Sequence, residues 1–220
     1  LAVNDSAGEY VLEVDRNQAP VVEDRDLVLG ANPIWEGNTV DLTVSFTDPN
    51  LGDTHQVVIV WGDGEPDTVI DLVGGERMVT VSHQYRDDGP NPGGGDPASA
   101  AYVYAIDVTV TDDAGLSDSA NTSITVKNHD PVIEDADLVL SATTINEDDS
   151  VTLTGSFTDL GTLDTHTVTI EWGDGESSEA MVDPDTRRFE GTHRYQDDDP
   201  TGTPSDDYTI TVTVTDDDTG

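Results

Sequence analysis

The pentapeptide WGDGE spans Trp61 to Glu65 and occurs again from Trp172 to Glu176. Each copy places a large aromatic side chain directly before a Gly-Asp-Gly corner. Asp-Gly is a favoured pair in tight hairpins, because glycine accepts the positive φ that these turns need. The motif therefore predicts a buried tryptophan at the end of a strand, followed by a turn. A catalytic role for the acids Asp63 and Asp174 is the alternative.

The two pentapeptides belong to a repeat that covers most of the chain. One constant spacing relates Trp61 to Trp172, and it also relates the segments NQAP and NHDP, which begin at Asn17 and Asn128. The spacing shortens further along, which indicates that the second copy lacks part of a Gly/Pro-rich loop at residues 89–100. Self-similarity of this kind predicts two homologous domains. Their expected bounds are residues 17–127 and 128–220.

Apolar residues alternate with polar ones in both copies. Comparison of the copies shows which positions stay apolar: Val57, Ile59 and Trp61 match Val168, Ile170 and Trp172, whereas Val58 and Val60 become Thr169 and Glu171. Two further segments alternate in the same way: Val40, Leu42, Val44 and Phe46; and Tyr104, Ile106, Val108 and Val110. A period of two indicates strands with one buried face. Several such strands in each copy predict an all-β fold of antiparallel sandwiches.

The charge of the chain limits its partners. Among 220 residues there are 47 acidic and 8 basic side chains, a formal net charge of −39, and no cysteine. Nucleic acid and anionic membranes would be repelled, and no apolar run approaches the roughly 18 residues of a membrane span. We therefore expect no nucleic-acid partner and no membrane insertion. The acids are grouped beside turn residues, which favours bound cations or high salt as the means of neutralising them.

The order of motifs resembles the polycystic-kidney-disease (PKD) domain family. WGDG is followed by HxY at His83 and Tyr85, and then by a tyrosine-containing strand that ends in VTVTDD; the second copy repeats this order. The resemblance covers residues 17–127 and 128–220. It implies immunoglobulin-like β-sandwiches, which occur outside cells in tandem arrays or beside the catalytic domains of secreted hydrolases. The segment DRNQAP is also similar, more weakly, to the linkers of cadherins.

Each copy has a short acidic loop before its Trp-containing strand. The loop contributes Asp48 and Asp53 in the first copy and Asp159 and Asp164 in the second. Calcium takes six to eight oxygen ligands at about 2.3–2.6 Å, and such loops can supply several of them. Turn capping is the alternative role, since Asp and Asn favour turns.

The resemblance to calcium-binding PKD-like domains completes the expected ligand sets. It implies one Ca²⁺ set in each copy, with Asp113 and Asp217 as neighbours that could substitute for a ligand. The implied sets are Asn17, Asp48, Asp53 and Asp112, and Asn128, Asp159, Asp164 and Asp216.

A second group of acids follows the start of each copy. It comprises Glu23, Asp24 and Asp26 in the first copy, and Glu134, Asp135 and Asp137 in the second. These acids could hold a cation at the joint between domains. They could equally form a solvated edge that resists aggregation.

Little in the sequence indicates an enzyme. Four histidines recur at matched positions, which predicts packing and hydrogen bonding, and the chain has neither zinc-ligand spacing nor a GxSxG nucleophile motif. Carboxylate pairs leave a glycosidase open by residue type, but two small sandwiches offer no evident cleft. We expect no catalytic activity.

The termini raise a question of strand exchange. Residues 1–16 resemble the end of a preceding repeat, with a spare strand at residues 9–14, and the second copy stops before the counterpart of its last strand. The missing strand could lie further along a longer array. Alternatively, the spare strand of one chain could complete the next chain by strand addition. That head-to-tail contact would build a filament.

Together these features predict a calcium-stabilised, extracellular or cell-surface protein with a structural or adhesive role. Its expected partners are other copies of itself or neighbouring repeats of a longer chain, and a surface glycan or protein is a further candidate. The alternative function is a polysaccharide- or protein-binding accessory module of a secreted hydrolase. For that function, Trp35, whose counterpart lies near Ile145, is a candidate sugar-stacking residue.

Overall fold

The computed structural model describes residues 16–89, 101–196 and 205–218. Over these residues the protein is almost entirely β. The predicted spare strand at residues 9–14 and most of the Gly/Pro-rich loop lie outside the described residues. No helix in the described part of the chain is long and apolar enough to cross a membrane.

The described residues up to Lys127, called the first half below, form eight strands after a short 3₁₀ helix at Asp24–Asp26. They are β1 (Leu27–Leu29), β2 (Ile34–Trp35), β3 (Thr39–Ser45), β4 (His55–Val60), β5 (Thr68–Leu72), β6 (Met78–Gln84), β7 (Ala101–Asp112) and β8 (Ser117–Lys127). They make two sheets, with strand orders β1-β3-β6 and β2-β8-β7-β4-β5.

The described strands of the second half follow the same plan, with a 3₁₀ helix at Asp135–Asp137. They are β9 (Val132–Ile133), β10 (Val139–Leu140), β11 (Ser150–Thr158), β12 (His166–Glu171), β13 (Ser177–Glu179), β14 (Met181–Asp183), β15 (Arg188–Arg194) and β16 (Thr211–Asp216). They make two sheets, with strand orders β10-β11-β15-β14 and β13-β12-β16. Strand β9 also pairs with β11. No sheet of the described residues mixes strands from the two halves.

The alternation read from the sequence is confirmed. Val57, Ile59 and Trp61 are fully buried, whereas Val60 between them is 40% exposed. The other apolar series is buried as well: Val40, Leu42, Val44 and Phe46 from β3 and its end, and Tyr104, Ile106, Val108 and Val110 from β7. These side chains come from both sheets and form one core, which makes the first half a β-sandwich.

One pairing departs from the expected antiparallel pattern. The two-residue strand β2 runs parallel to β8, with Ile34 opposite Val126 and Trp35 opposite Lys127. The other paired strands are antiparallel. The departure is local because β2 lies at the edge of its sheet, where a short segment pairs on one side only. The all-β, immunoglobulin-like sandwich class is unaffected.

The WGDG corner and the HxY motif form one bonded unit. Trp61 is fully buried, and its indole N–H donates to Thr68 Oγ1 at 2.9 Å. His83 stacks on Trp61 with ring centroids 4.3 Å apart, and its Nε2 lies 2.7 Å from Asp63 Oδ2. The Tyr85 hydroxyl donates to the Trp61 carbonyl at 3.0 Å.

The second copy builds the same unit. Trp172 is also fully buried, Tyr195 donates to its carbonyl at 2.8 Å, and His193 bonds Asp174 at 2.7 Å. The predicted buried tryptophan followed by a turn is confirmed in both halves. Asp63 and Asp174 hold the corner through hydrogen bonds, as the structural interpretation expects.

Candidate metal centres

Three carboxylates meet at one end of the first sandwich. Asp48 follows β3, Asp53 lies in the loop before β4, and Asp112 ends β7. One oxygen of each lies within 4.8 Å of the others. The strands converge at this end, so residues distant in sequence face the same space. An all-oxygen set of this kind suits a hard cation such as Ca²⁺.

Two of these carboxylates also cap turns. Asp48 accepts from the Asn50 backbone N–H at 2.7 Å through Oδ1, and its Oδ2 lies 2.8 Å from His55 Nε2. Asp112 Oδ1 accepts from the Leu116 backbone N–H at 2.8 Å, among other bonds. These contacts fulfil the turn-capping role that the sequence left open. They do not exclude cation binding, because a carboxylate oxygen has two lone pairs.

Asp53 differs from the other two members because one of its carboxylate oxygens has no hydrogen bond in the part of the chain that the structure describes. Its Oδ2 is buried and has no hydrogen bond within the described residues. Burial raises the pKa of Asp53, and the negative charges of Asp113, Asp48 and Asp112 raise it further. Asn17, the remaining expected ligand, donates from Nδ2 to Asp112 Oδ2 at 2.9 Å. A cation here would satisfy the orphaned Asp53 oxygen, so the residues fit the expected metal.

The corresponding end of the second sandwich is arranged differently. Asp159 and Asp164 are again close, but their third neighbour within 4.8 Å is His166. Asp159 Oδ2 lies 2.7 Å from His166 Nε2 and 3.9 Å from Arg187 Nη1. Both oxygens of Asp164 are buried and have no hydrogen bond within the described part of the chain.

The other expected ligands of the second copy lie beside this group. Asn128 donates from Nδ2 to Asp216 Oδ2 at 3.0 Å, which repeats the bond between Asn17 and Asp112. Asp217 Oδ1 accepts from the Thr165 backbone N–H at 2.7 Å. Asp216 and Asp217 are therefore held near the site without joining a group of ligand atoms within 4.8 Å.

A further acidic cluster lies where the two halves meet, and the sequence analysis missed it. Its members are Glu36, Asp87 and Asp88 of the first half and Asp164 and Asp218 of the second. They form two groups of atoms within 4.8 Å, Glu36-Asp87-Asp88 and Asp87-Asp164-Asp218, which share Asp87. The acidic runs RDDG and TDDDTG were visible signals. The sequence did not show that these two runs come together, because that depends on how the two halves contact each other.

Burial dominates the electrostatics of this junction cluster. Burial raises the pKa of Glu36 to about 9, and the nearby acids Asp164 and Asp88 raise it too. Burial likewise raises the pKa of Asp164 to about 8 and that of Asp218 to about 7. Burial is also the main cause that raises the pKa of Asp88 to about 6. A cation would remove this penalty by neutralising the acids together.

The acidic groups at the two 3₁₀ helices show no such convergence. Asp26 Oδ2 accepts from the Glu23 backbone N–H at 3.1 Å, and Asp24 Oδ1 accepts from the Asn121 backbone N–H at 2.9 Å. The matched residues Glu134, Asp135 and Asp137 are exposed. Neither set forms a group within metal-binding distance in the described structure. A solvated edge accounts for both.

Comparisons with known proteins leave the family open. No protein-family model matches the chain, and no curated protein matches it. The resemblance to the PKD family therefore stays a prediction.

Two solved structures illustrate what the chain is similar to. One is a carbohydrate-binding module of the β-sandwich superfamily described for its promiscuous specificity, with 16% identity, 93% of this chain and 98% of that chain covered, and a TM-score of 0.36. The other comprises the FN1–FN3 domains of chicken CNTN1, with 8% identity, 90% and 62% covered, and a TM-score of 0.29. At these TM-scores neither similarity supports a conclusion about function.

Proposed function

We propose that the chain is a calcium-stabilised structural element, in which two β-sandwiches in tandem act outside the cell as a spacer or adhesive segment. The observation that carries this proposal is the buried, unpartnered Asp53 Oδ2 within a convergent set of carboxylates. An ionised oxygen in that position is costly without a cation or a proton.

The role of the metal would be mechanical. When bound, Ca²⁺ supplies positive charge and a fixed set of oxygen bonds. Asp48 and Asp53 lie in the loop between β3 and β4, and Asp112 ends β7, so a cation held by all three would tie that loop to the end of β7. A segment stiffened in this way transmits force or holds its neighbours at a distance, and it performs no reaction.

Calcium binding and thermal melting test this proposal. We expect Ca²⁺ to raise the melting temperature and EDTA to reverse the rise. At a concentration about 100-fold above Kd, one site adds about 2.7 kcal/mol to the free energy of unfolding. Asp53→Asn should remove part of the rise, whereas the exposed change Asp67→Asn should leave it intact. Equal melting temperatures of the wild type in Ca²⁺ and in EDTA would overturn the proposal.

One observation favours the alternative of a glycan-binding module. Trp35 is 47% exposed, and it packs against His129 and under the Lys127 ammonium, which lies 5.4 Å from the ring centroid. The exposed part of the indole could stack on a sugar ring. Retention of the chain on a polysaccharide column, lost on Trp35→Ala, would support this function over the structural one.

A further inference from the structure

The two halves contact each other through backbone and side-chain bonds. The Thr162 backbone N–H donates to the Arg86 carbonyl at 3.2 Å, and the His129 backbone N–H donates to Glu36 Oε1 at 2.7 Å. Gly37 lies so close to the Leu160 carbonyl that a Cβ on it would clash. The loop before β12 therefore sits directly against the end of the first sandwich, and the junction cluster lies in this contact.

Several carboxylate oxygens of the junction cluster are buried and have no hydrogen bond in the described part of the chain. Glu36, Asp88 and Asp218 are 0%, 2% and 1% exposed. Glu36 Oε2 and both oxygens of Asp88 and Asp218 have no hydrogen bond within the described residues. Most buried polar atoms in proteins are hydrogen-bonded. This many ionisable oxygens without donors in one contact must be satisfied either by protons or by a bound cation.

The neighbouring arginines do not form ion pairs with these buried acids among the residues that the structure describes. Arg86 extends to Glu65, with Nη1 3.4 Å from Oε1. Arg187 donates to the Gly161 carbonyl and lies near Asp159. Neither forms an ion pair with Glu36, Asp88 or Asp218 in the described structure.

We propose that Ca²⁺ binds between the two halves, held by Glu36, Asp87 and Asp88 of the first and by Asp164 and Asp218 of the second, and fixes their relative orientation. The idea that a fixed orientation makes the chain a stiff spacer rests on the function proposed above. The metal site itself rests on the geometry of the junction alone.

The ligand chemistry favours calcium over other divalent ions. The set is entirely oxygen, and Asn128 Oδ1, also buried and unpartnered, adds a neutral ligand nearby. Zinc prefers sulfur and nitrogen ligands in proteins. Magnesium holds a strict octahedron and keeps several waters, whereas calcium accepts more carboxylates in irregular geometry. A buried contact rich in carboxylates therefore suits calcium.

Two paired variants test the site. Glu36→Gln with Asp88→Asn removes two carboxyl groups from the junction, and Asp107→Asn with Glu171→Gln removes two from exposed positions of the sheets. Calorimetric Ca²⁺ titration of the junction variant should lose a class of sites or weaken it at least about tenfold, because affinity follows the charge of the ligand set. The exposed variant should titrate like the wild type.

Melting in EDTA gives an independent readout. Without a cation the buried acids must either take up protons or repel one another, and both lower the stability of the wild type. The junction variant should therefore melt at a higher temperature than the wild type in EDTA and gain less from Ca²⁺. A purely structural role for Glu36 and Asp88 would lower the melting temperature in both conditions. Unchanged Ca²⁺ titration of the junction variant would overturn the proposal.

The distance between the halves can be measured directly, because the chain contains no cysteine. Val69 and Met181 are 56% and 84% exposed. Spin labels on Val69→Cys in the first half and Met181→Cys in the second measure the distance between these two positions. We expect a narrow distribution in Ca²⁺ and a broad one in EDTA, and a broad one in both for the junction variant. Identical distributions in Ca²⁺ and EDTA for the wild type would contradict a cation that fixes the orientation.

Asp53→Asn separates this proposal from the function proposed above. That change lies at the far end of the first sandwich and should leave the narrow distribution in Ca²⁺ intact. If Asp53→Asn has no effect on calcium titration while the junction variant does, the first metal centre fails and the junction centre stands. If instead Asp53→Asn weakens calcium binding and the junction variant does not, the junction centre fails and the first metal centre stands.

Discussion

At the scale of single residues, Asp63 shows how this acidic protein uses a carboxylate without a metal. Burial raises the pKa of Asp63, but its bonds to His83 and to the Glu65 backbone N–H outweigh burial, and the pKa stays below its ordinary value. A carboxyl whose pKa is lower in the folded state stabilises the fold above its unfolded pKa, about 3.9. That contribution is lost as the pH falls through the folded pKa.

We expect Asp63→Asn to lower the free energy of unfolding by about 1–3 kcal/mol at neutral pH, since it breaks a buried charged hydrogen bond. The loss should shrink as the pH falls from about 4, the unfolded pKa, toward the lower folded pKa, where the wild-type carboxylate becomes protonated as well. Urea unfolding at several pH values measures this, and the exposed Asp67→Asn is the control. A loss independent of pH would show that the charge of Asp63 plays no part.

The glycines on either side of Asp63 have separate roles. Gly62 and Gly64 both have positive φ, +84° and +83°, but only at Gly62 would a Cβ collide with a backbone atom, the Ala105 carbonyl oxygen. Around Gly64 nothing lies within 4 Å. We expect Gly64→Ala to cost about 1–2 kcal/mol from backbone strain and Gly62→Ala to cost clearly more. Equal losses in chemical denaturation would contradict the close approach.

At the scale of elements, the two halves differ in the strand that lies beside the Trp-containing strand. In the first half β7 pairs with β4 on one side and β8 on the other. In the second half β16 pairs with β12, and no further strand pairs with it among the described residues. Ile106 and Val108 of the first half are fully buried, whereas their counterparts Ile210 and Val212 are only partly buried.

This difference predicts unequal local stability. Amide hydrogens of β16 should exchange with solvent at least about tenfold faster than those of β7, because local opening exposes an edge with fewer contacts. Hydrogen exchange followed by mass spectrometry or NMR measures the ratio in one sample, so β7 serves as the internal control. Equal protection of the two strands would mean that another segment covers β16 in solution.

At the scale of the whole molecule, the net charge of −39 opposes compaction. Sodium chloride at 1 M shortens the Debye length from about 10 Å, at 0.1 M, to about 3 Å. We expect the melting temperature in EDTA to rise by several degrees over this range, since about 1 kcal/mol corresponds to about 2–4 °C for a protein of this size.

Calcium should act differently from salt. Screening by NaCl is general, whereas the buried oxygens of Asp53, Glu36 and Asp88 are shielded from mobile ions. A few millimolar CaCl₂ should therefore raise the melting temperature more than NaCl of equal ionic strength. Equal rises would favour adaptation to salt over specific calcium sites.

Much of the fold could be predicted from the sequence because the relevant signals are local or repeated. The period of two in β3, β4 and β7 predicted which side chains are buried, and the repetition of WGDG and HxY indicated two copies of one corner. The carboxylates Asp48 and Asp53 lie in one short loop, so their proximity was predictable from spacing. Asp112 was placed with them through the family resemblance, and the structure brings all three together.

The strand pattern, the buried tryptophans and the acidic loops could be read from the amino-acid sequence, because each depends on residues that are close along the chain. The tertiary structure is needed to explain why β2 runs parallel to β8. It also explains why ligand atoms of Asp164 lie within 4.8 Å of those of Asp87 and Asp218, in a group that does not include Asp216. It also brought Glu36 and Asp88 into the contact between the halves. These acids come from segments far apart in sequence, and their meeting depends on how two separately formed sandwiches pack, which no local pattern encodes.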